Sequence, residues 1–117
     1  MVVLLVEDDG DLRRLLEAAL PPEFEVRSCS TGDEGLRILT SDPIDVLLTD
    51  LDVPNVSGEQ LARVARALPT PMGVVLMSGH VNRLEASRGL ADAVLTKPFA
   101  LYAVRAALRR ASSRTRD

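Results

Sequence analysis

The sequence IDVLLTDLDVPNVSG, residues 44–58, is the stretch on which our interpretation of the whole chain depends. It opens with an apolar run at residues 44–48, which contains one acid and is typical of a strand buried on both faces of a parallel sheet. Asp50 and Asp52 follow, and proline, asparagine and glycine then mark a loop. An isolated acid at a strand end most often only begins a turn, so the other strand ends must decide whether Asp50 has a chemical role.

The composition is that of one globular domain of 117 residues, with 46% hydrophobic and 26% charged residues. A net charge of −3 gives no general basic field for nucleic acid or an anionic membrane. The single cysteine, Cys29, cannot form an internal disulfide and is predicted to be a small core residue of a strand in a reducing compartment. No apolar run approaches the ~20 residues needed to span a bilayer, and the apolar start lacks a basic leader, so we expect a cytoplasmic protein.

Hydrophobic periodicity predicts five strands and five helices that alternate along the chain. The predicted strands are residues 2–6, 24–29, 44–48, 73–77 and 93–96, and the predicted helices are residues 11–20, 31–39, 57–68, 81–90 and 100–110. Strict alternation with short connections predicts an α/β fold with an all-parallel sheet and helices on both faces. The second strand alternates apolar with charged residues, which favours an edge position.

Local signals support several of the predicted helices. Leu12, Leu15, Leu16, Ala19 and Leu20 recur at helical spacing and are predicted to form the buried face of the first helix. Two capping-box patterns, Thr31 with Glu34 and Ser57 with Gln60, open the second and third helices, and Pro69 and Pro71 end the third. The fourth helix has a poor apolar face and is therefore a candidate for a movable element.

Chemically active side chains follow four of the five strands. Glu7 and Asp8 come after the first strand, Asp50 after the third, Ser78 after the fourth, and Lys97, the only lysine among 14 cationic residues, after the fifth. The carboxyl ends of parallel strands share one edge of the sheet, where ligands bind. Clustered carboxylates repel one another, and a hard divalent cation such as Mg²⁺ relieves that repulsion. One carboxylate could then attack a phosphoryl group while the cation, ammonium and hydroxyl neutralise its oxygens.

Four motifs resemble those of a response-regulator receiver domain from bacterial two-component signalling. They are VLLVEDD at residues 3–9, DVLLTDLDVPNVSG at 45–58, MSGH at 77–80 and LTKPF at 95–99, in the order and spacing of that family. The resemblance implies a flavodoxin-like, doubly wound sheet of strand order 2-1-3-4-5 with five helices. It also implies a receiver domain over residues 1–111, followed by a polar tail or linker at 112–117.

The same resemblance assigns roles to individual residues. Glu7, Asp8 and Asp50 would bind Mg²⁺ together with the backbone carbonyl of Asp52, whereas Asp9 would lie outside the group of metal ligands. Asp50 would be the phosphoacceptor. Ser78 would be the hydroxyl that responds to phosphorylation, Lys97 would contact the phosphate, and the peptide bond before Pro98 would be cis, a geometry that is accessible at X–Pro bonds.

Two positions depart from the family pattern. Many members carry an aromatic residue on the fifth strand whose rotation accompanies phosphorylation, and this chain has Val94 there. Two residues after the acceptor, the family often has an apolar or amide side chain, and this chain has Asp52. An additional acid beside an anionic site would repel the phosphoryl group, so we expect Asp52 to change the lifetime of the phosphorylated form.

The implied function is a regulatory switch rather than a turnover enzyme. Its phosphodonor would be a phosphohistidine on a sensor kinase or phosphotransfer protein that docks near the first helix, and its output partner is unspecified. The family also allows a homodimer through the fourth helix, fifth strand and fifth helix. His80 is predicted to be a loop residue near the site, and not a metal ligand.

Two alternatives stay open at this stage. The sequence DLDV at residues 50–53 also resembles the nucleophile motif of haloacid-dehalogenase-type phosphatases, although that motif belongs on a first strand. The other alternative is a receiver that no longer accepts phosphate and acts only as a binding module.

Overall fold

The chain folds as a five-stranded parallel sheet of order β2-β1-β3-β4-β5, flanked by helices. This computed structural model describes residues 1–70 and 72–113. The strands are β1 Val2–Val6, β2 Glu25–Cys29, β3 Val46–Asp50, β4 Gly73–Ser78 and β5 Ala93–Thr96. The helices are α1 Gly10–Ala19, α2 Gly32–Ser41, α3 Gly58–Ala67, α4 Val81–Ala86 and α5 Leu101–Ser112, and a 3₁₀ turn spans Arg88–Leu90. The predicted fold and strand order are confirmed.

Two apolar layers, one on each face of the sheet, hold the helices in place. Alternate residues of β1 belong to different layers, because successive side chains of a strand point to opposite faces. Leu4 and Val6 pack in the layer that contains Leu61 of α3, whereas Val3 and Leu5 pack in the layer that contains α1 and α5 side chains. β3 and β4 are buried along their whole length, which explains their nearly continuous apolar sequences.

The edge strand and the first helix show where periodicity was right and where it was wrong. β2 is an edge strand, and Cys29 is buried in it, as predicted. Leu16 of α1 and the C-cap residue Leu20 are fully or almost fully buried, but Leu15 is 51% exposed, which corrects its predicted place in the core. Leu15 lies at the border of the apolar stripe, beside Phe99 and Leu101, where it lines a groove instead.

Helix starts follow the predicted capping residues. Ser57 and Gln60 form a complete capping box, in which the Ser57 hydroxyl accepts the Gln60 N–H and the Gln60 side chain accepts the Ser57 N–H. The Thr31 hydroxyl accepts the Glu34 N–H at 3.4 Å. Asp9 begins α1 as its N-cap, since its carboxylate accepts the N–H groups of two residues in the first turn.

The ends of the fourth and fifth helices differ from the prediction. The single helix predicted at residues 81–90 is divided at Ser87 into α4 and the 3₁₀ turn, and within α4 only Leu84 is buried. The helix α5 continues to Ser112, beyond the predicted end at residue 110. Residues 114–117, most of the predicted polar tail, and Pro71 lie outside the described residues, so the tail stays a prediction. None of the described helices is both long and apolar enough to cross a membrane.

Gly58 allows the start of α3 to lie directly against the end of β3. Its N–H donates to the carbonyl of Leu51 at 3.0 Å, and a Cβ at this position would stand 2.3 Å from the carbonyl oxygen of Asp50. The contact is with backbone and not with a flexible side chain, so no rotamer change can relieve it. The position therefore requires glycine for a close approach.

We expect Gly58→Ala to lower the free energy of unfolding by about 1–3 kcal/mol, the usual cost of forcing extra volume into a packed site. Urea denaturation would measure the change. Gly89→Ala is the matched control, because a Cβ there meets no atom within 4 Å. If the two substitutions changed the free energy of unfolding equally, the backbone contact at Gly58 would not be the reason why this position needs glycine.

Candidate functional site

The ammonium of Lys97 joins the ends of β1 and β3. Its Nζ donates to Oε1 of Glu7 at 2.7 Å and also to Oδ2 of Asp50. Glu7 is the residue after β1, and Asp50 is the last residue of β3, the strand that pairs with β1 in parallel. The structure thus brings together three of the predicted site residues from strands that are far apart in sequence.

This contact is largely removed from water. Glu7 is fully buried and Asp50 is 6% exposed, while the Lys97 side chain is 25% exposed. Burial raises the pKa of the Glu7 carboxyl above its ordinary value, and the negative charge of Asp50 adds to this rise, although Lys97 opposes it. Partial burial lowers the pKa of Lys97, but its bonds to Asp50 and Glu7 outweigh that effect, so its pKa is raised and the ammonium is kept charged.

The end of β4 brings Ser78 into the same region. Ser78 is 1% exposed, its backbone carbonyl accepts the N–H of Lys97 at 2.9 Å, and its hydroxyl oxygen accepts the N–H of His80 at 2.9 Å. The Lys97–Pro98 peptide bond is cis, as predicted. His80 is an exposed residue at the start of α4, which agrees with its predicted place in a loop near the site.

The two other acids of the first loop differ from Glu7 in their exposure to solvent. Asp8 and Asp9 are both exposed, unlike Glu7, and Asp9 serves as the N-cap of α1. The N–H of Asp9 also donates to Oε2 of Glu7 at 3.2 Å, which fixes the second carboxylate oxygen. Arg13, which the sequence analysis missed, donates to the backbone carbonyl of Glu7 at 2.8 Å.

The loop after β3 places Asp52 against both Asp50 and α4. Its N–H donates to Oδ1 of Asp50 at 2.6 Å. Its carboxylate forms an ion pair with Arg83 of α4 and lies 3.8 Å from Nε2 of His80. Sequence reasoning also missed Arg83, because nothing in the spacing of residues 52 and 83 indicates that they meet.

The available ligands fit a hard cation better than a soft one. Within residues 1–70 and 72–113, no group of three or more acidic, histidine or cysteine side chains is arranged around a metal position. The Lys97 ammonium stands instead between Glu7 and Asp50. The donors at this edge are carboxylates and backbone carbonyls, which is the oxygen chemistry that Mg²⁺ prefers, and no thiolate is present in the cluster.

A family comparison agrees with this geometry. The model of the response regulator receiver domain matches residues 3–109, which is most of the chain. The chain belongs to the response regulator receiver domain family. It is therefore a receiver domain of two-component signalling, and the family resemblance inferred from its four motifs is confirmed.

The curated relatives of this receiver domain are longer proteins. It is 34% identical, over 103 residues, to the cell cycle response regulator CtrA of Brucella ovis and to that of Brucella anthropi. Each match covers 85% of this chain but 44% of the relative, so the chain spans less than half the length of these proteins.

Solved structures share the receiver fold. A receiver domain protein from Clostridium thermocellum is 27% identical, with a TM-score of 0.85 over 98% of this chain and 96% of that one. TrrA from Thermotoga maritima, solved in complex with Mg²⁺-BeF, is 24% identical, with a TM-score of 0.83 over 93% of this chain and 96% of that one. At that identity, TrrA supports the fold alone.

Removing the ammonium should destabilise the receiver domain, because Glu7 would keep a buried charge without its partner. We expect Lys97→Met to lower the free energy of unfolding by about 1–3 kcal/mol in metal-free buffer at neutral pH. Combining Lys97→Met with Glu7→Gln should recover part of this loss. Urea denaturation would measure both.

Arg109→Met is the control for this comparison, since it removes an exposed cation that pairs with Glu23. A loss no larger than that of the control would contradict the importance of the buried contact.

Proposed function

We propose that this receiver domain is an Mg²⁺-dependent phosphoacceptor whose phosphorylated residue is Asp50. The observation that carries the proposal is the meeting of Glu7, Asp50 and Lys97 at the carboxyl ends of β1, β3 and β5. A nucleophilic carboxylate needs no general base at neutral pH, but it needs positive charge to receive the anionic group. The ammonium of Lys97 supplies this positive charge, because it binds the Asp50 carboxylate directly.

The proposed reaction transfers one phosphoryl group to a carboxylate oxygen of Asp50. The oxygen forms a bond to phosphorus while the bond between phosphorus and the donor nitrogen of a phosphohistidine breaks. The nitrogen keeps the electron pair, and the product is an acyl phosphate. With acetyl phosphate as donor, a P–O bond breaks instead and acetate leaves.

Backbone and side-chain groups of this chain orient and neutralise the reacting groups. The N–H of Asp52 holds one oxygen of Asp50 at 2.6 Å, which fixes the rotation of the carboxylate. Lys97 is positioned to bind the phosphoryl oxygens as negative charge develops on them. The Ser78 hydroxyl is proposed to be a further contact to these oxygens. Mg²⁺, when bound by Glu7, Asp8, Asp50 and the carbonyl of Asp52, would supply further positive charge to the transferring group.

The proposed output is a movement of the β4–α4 region. The Ser78 hydroxyl accepts the N–H of His80, so a Ser78 that turns toward a phosphoryl group must release His80, the residue that directly precedes α4. The helix α4 has no side-chain cap and spans only Val81–Ala86, which makes it easy to displace. Val94 occupies the family's aromatic position on β5, so this switch would not use an aromatic rotation.

The phosphodonor partner is proposed to be a sensor histidine kinase or phosphotransfer protein that docks on the groove between α1 and the β5–α5 loop. This groove contains Leu12, Leu15, Phe99 and Leu101, and Asp9 and Lys97 border it. Its apolar surface therefore lies next to the reacting residues. A homodimer through α4, β5 and α5, an unidentified output partner and a cytoplasmic location also belong to the proposal, whereas direct binding of nucleic acid or membrane by this chain does not.

We expect incubation with acetyl phosphate and Mg²⁺ to add the mass of one phosphoryl group to the protein. Asp50→Asn should remove this gain, because an amide is not a nucleophile of the required strength, and omission of Mg²⁺ should greatly reduce it. Intact-mass measurement gives the readout. Lys97→Ala should permit weak labelling without any change in partner binding.

An unmodified parent protein under these conditions would favour a receiver that acts only as a binding module. Labelling that persists in Asp50→Asn would instead assign the acceptor to another residue.

We expect Leu15→Arg to slow phosphotransfer from the cognate kinase by about tenfold or more, as loss of a buried interface contact does. The rate with acetyl phosphate should stay unchanged, because Asp50 is not among the residues that line this groove. Profiling against the phosphorylated histidine kinases of the organism that encodes the chain would measure the first rate.

Tyr102→Arg is the matched control, because Tyr102 is 77% exposed on α5 and does not line the groove. If this control slowed transfer as much as Leu15→Arg, the docking surface would have to be placed elsewhere.

A further inference from the structure

Arg83 of α4 connects three parts of the chain around the acceptor loop. Its guanidinium binds both oxygens of Glu59 in α3, with Nη2 at 2.6 Å from Oε1 and Nε at 2.9 Å from Oε2. Nη1 forms the ion pair with Asp52, and Nη2 also donates to the carbonyl of Leu51 at 3.3 Å. A single side chain on a short helix thus contacts the two residues that directly follow Asp50.

Asp52 links Arg83 to the phosphoacceptor, because it contacts both residues. The backbone N–H of Asp52 donates to Asp50, and the carboxylate of the same residue binds Arg83. The side-chain dihedral of Asp52 decides whether its negative charge faces α4 or the reacting carboxylate. In the structure, the charge faces α4, where Arg83 neutralises it.

The charges around Asp52 explain why this orientation matters. Asp50, Glu7 and Asp8 already contribute negative charge to the site, and the incoming phosphodonor is an anion. An additional carboxylate without a cationic partner would therefore oppose the approach of the phosphodonor. Glu59 and Asp52 both raise the pKa of Arg83, the effect of Glu59 being larger, so the guanidinium stays charged. The expected repulsion by Asp52 therefore requires that this ion pair be broken first.

We propose that Arg83 is a positioning residue for phosphoryl transfer to Asp50 and that it acts through Asp52. By pairing with the Asp52 carboxylate, it lowers the negative charge that the phosphodonor meets. This inference rests on the proposed function of Asp50. It also explains how this chain carries an acid two residues after the acceptor, where an unpaired acid would hinder the reaction.

Arg83 also has a structural contact that could explain a mutant effect without any role in the reaction. Its two bonds to Glu59 attach α4 to α3, and the Ser87 hydroxyl lies 3.4 Å from the same carboxylate. Loss of this attachment would loosen α4 whether or not Asp52 is charged. The experiment must therefore separate the Asp52 contact from the Glu59 contact.

A double-mutant cycle on the rate of labelling by acetyl phosphate separates them. We expect Arg83→Gln to slow labelling by about three- to fivefold, the range that a partly exposed ion pair supports. In the Asp52→Asn background, the same substitution should change the rate by less than about 1.5-fold, because no carboxylate remains to be exposed. Arg83→Lys should recover much of the rate, since it restores the charge.

Two controls define the result. Arg88→Gln removes the same charge from the next turn, where the guanidinium pairs with Glu85, and it should leave the rate unchanged. Glu59→Gln removes the attachment to α3 but keeps Asp52 and Arg83. It should raise amide hydrogen exchange across α4 in metal-free, unphosphorylated protein, with less than about a twofold effect on labelling.

The outcomes distinguish this inference from the proposed function. If the parent protein is not labelled on Asp50, the proposed function fails. If the parent is labelled and Arg83→Gln is labelled equally fast, only the role of Arg83 fails. Equal slowing by Arg83→Gln with and without the Asp52 carboxylate, or by Glu59→Gln, would also overturn it, because the effect would then belong to the attachment of α4.

Discussion

The buried contact of the Lys97 ammonium with the carboxylates of Glu7 and Asp50 is the constraint around which the site is built. Two acids at neighbouring strand ends, both almost completely removed from water, repel each other unless a cation lies between them. The backbone holds each member separately. Glu7 receives the N–H of Asp9, Asp50 receives that of Asp52, and the N–H of Lys97 donates to the carbonyl of Ser78. The positions of the charges are therefore fixed by the same backbone that ends the strands.

The strands that carry the site are firmly packed, whereas the neighbouring helix α4 is weakly attached. β3 and β4 are buried throughout, whereas α4 has one buried residue, Leu84, and no side-chain cap. Much of what attaches α4 to the loop after β3 and to α3 is polar, through the ion pairs of Arg83 with Asp52 and Glu59. Polar contacts at a partly exposed surface depend on charge, so α4 is held less firmly than the buried strands that carry the site.

Several features could be predicted because their causes are local. The five strands follow from the periodicity of short segments, and the Ser57–Gln60 capping box needs only residues within one turn. The strand order has no local cause, and it was predicted from the family resemblance alone. Leu15 could not be placed in this way, because its exposure depends on which distant segments pack against α1. The division of the predicted fourth helix at Ser87 was also missed, since weak amphipathicity does not show where a helix stops.

The sequence by itself determined the alternation of strands and helices and the identity of the acids, hydroxyl and lysine at the strand ends. These follow from periodicity and from residue type, which are properties of the chain alone. Only the tertiary structure decided that Glu7 is buried while Asp8 and Asp9 are exposed, and that Arg83 turns the charge of Asp52 toward α4. Burial and ion pairing depend on which distant segments pack together, and residues 52 and 83 become neighbours only when α4 packs beside the loop after β3.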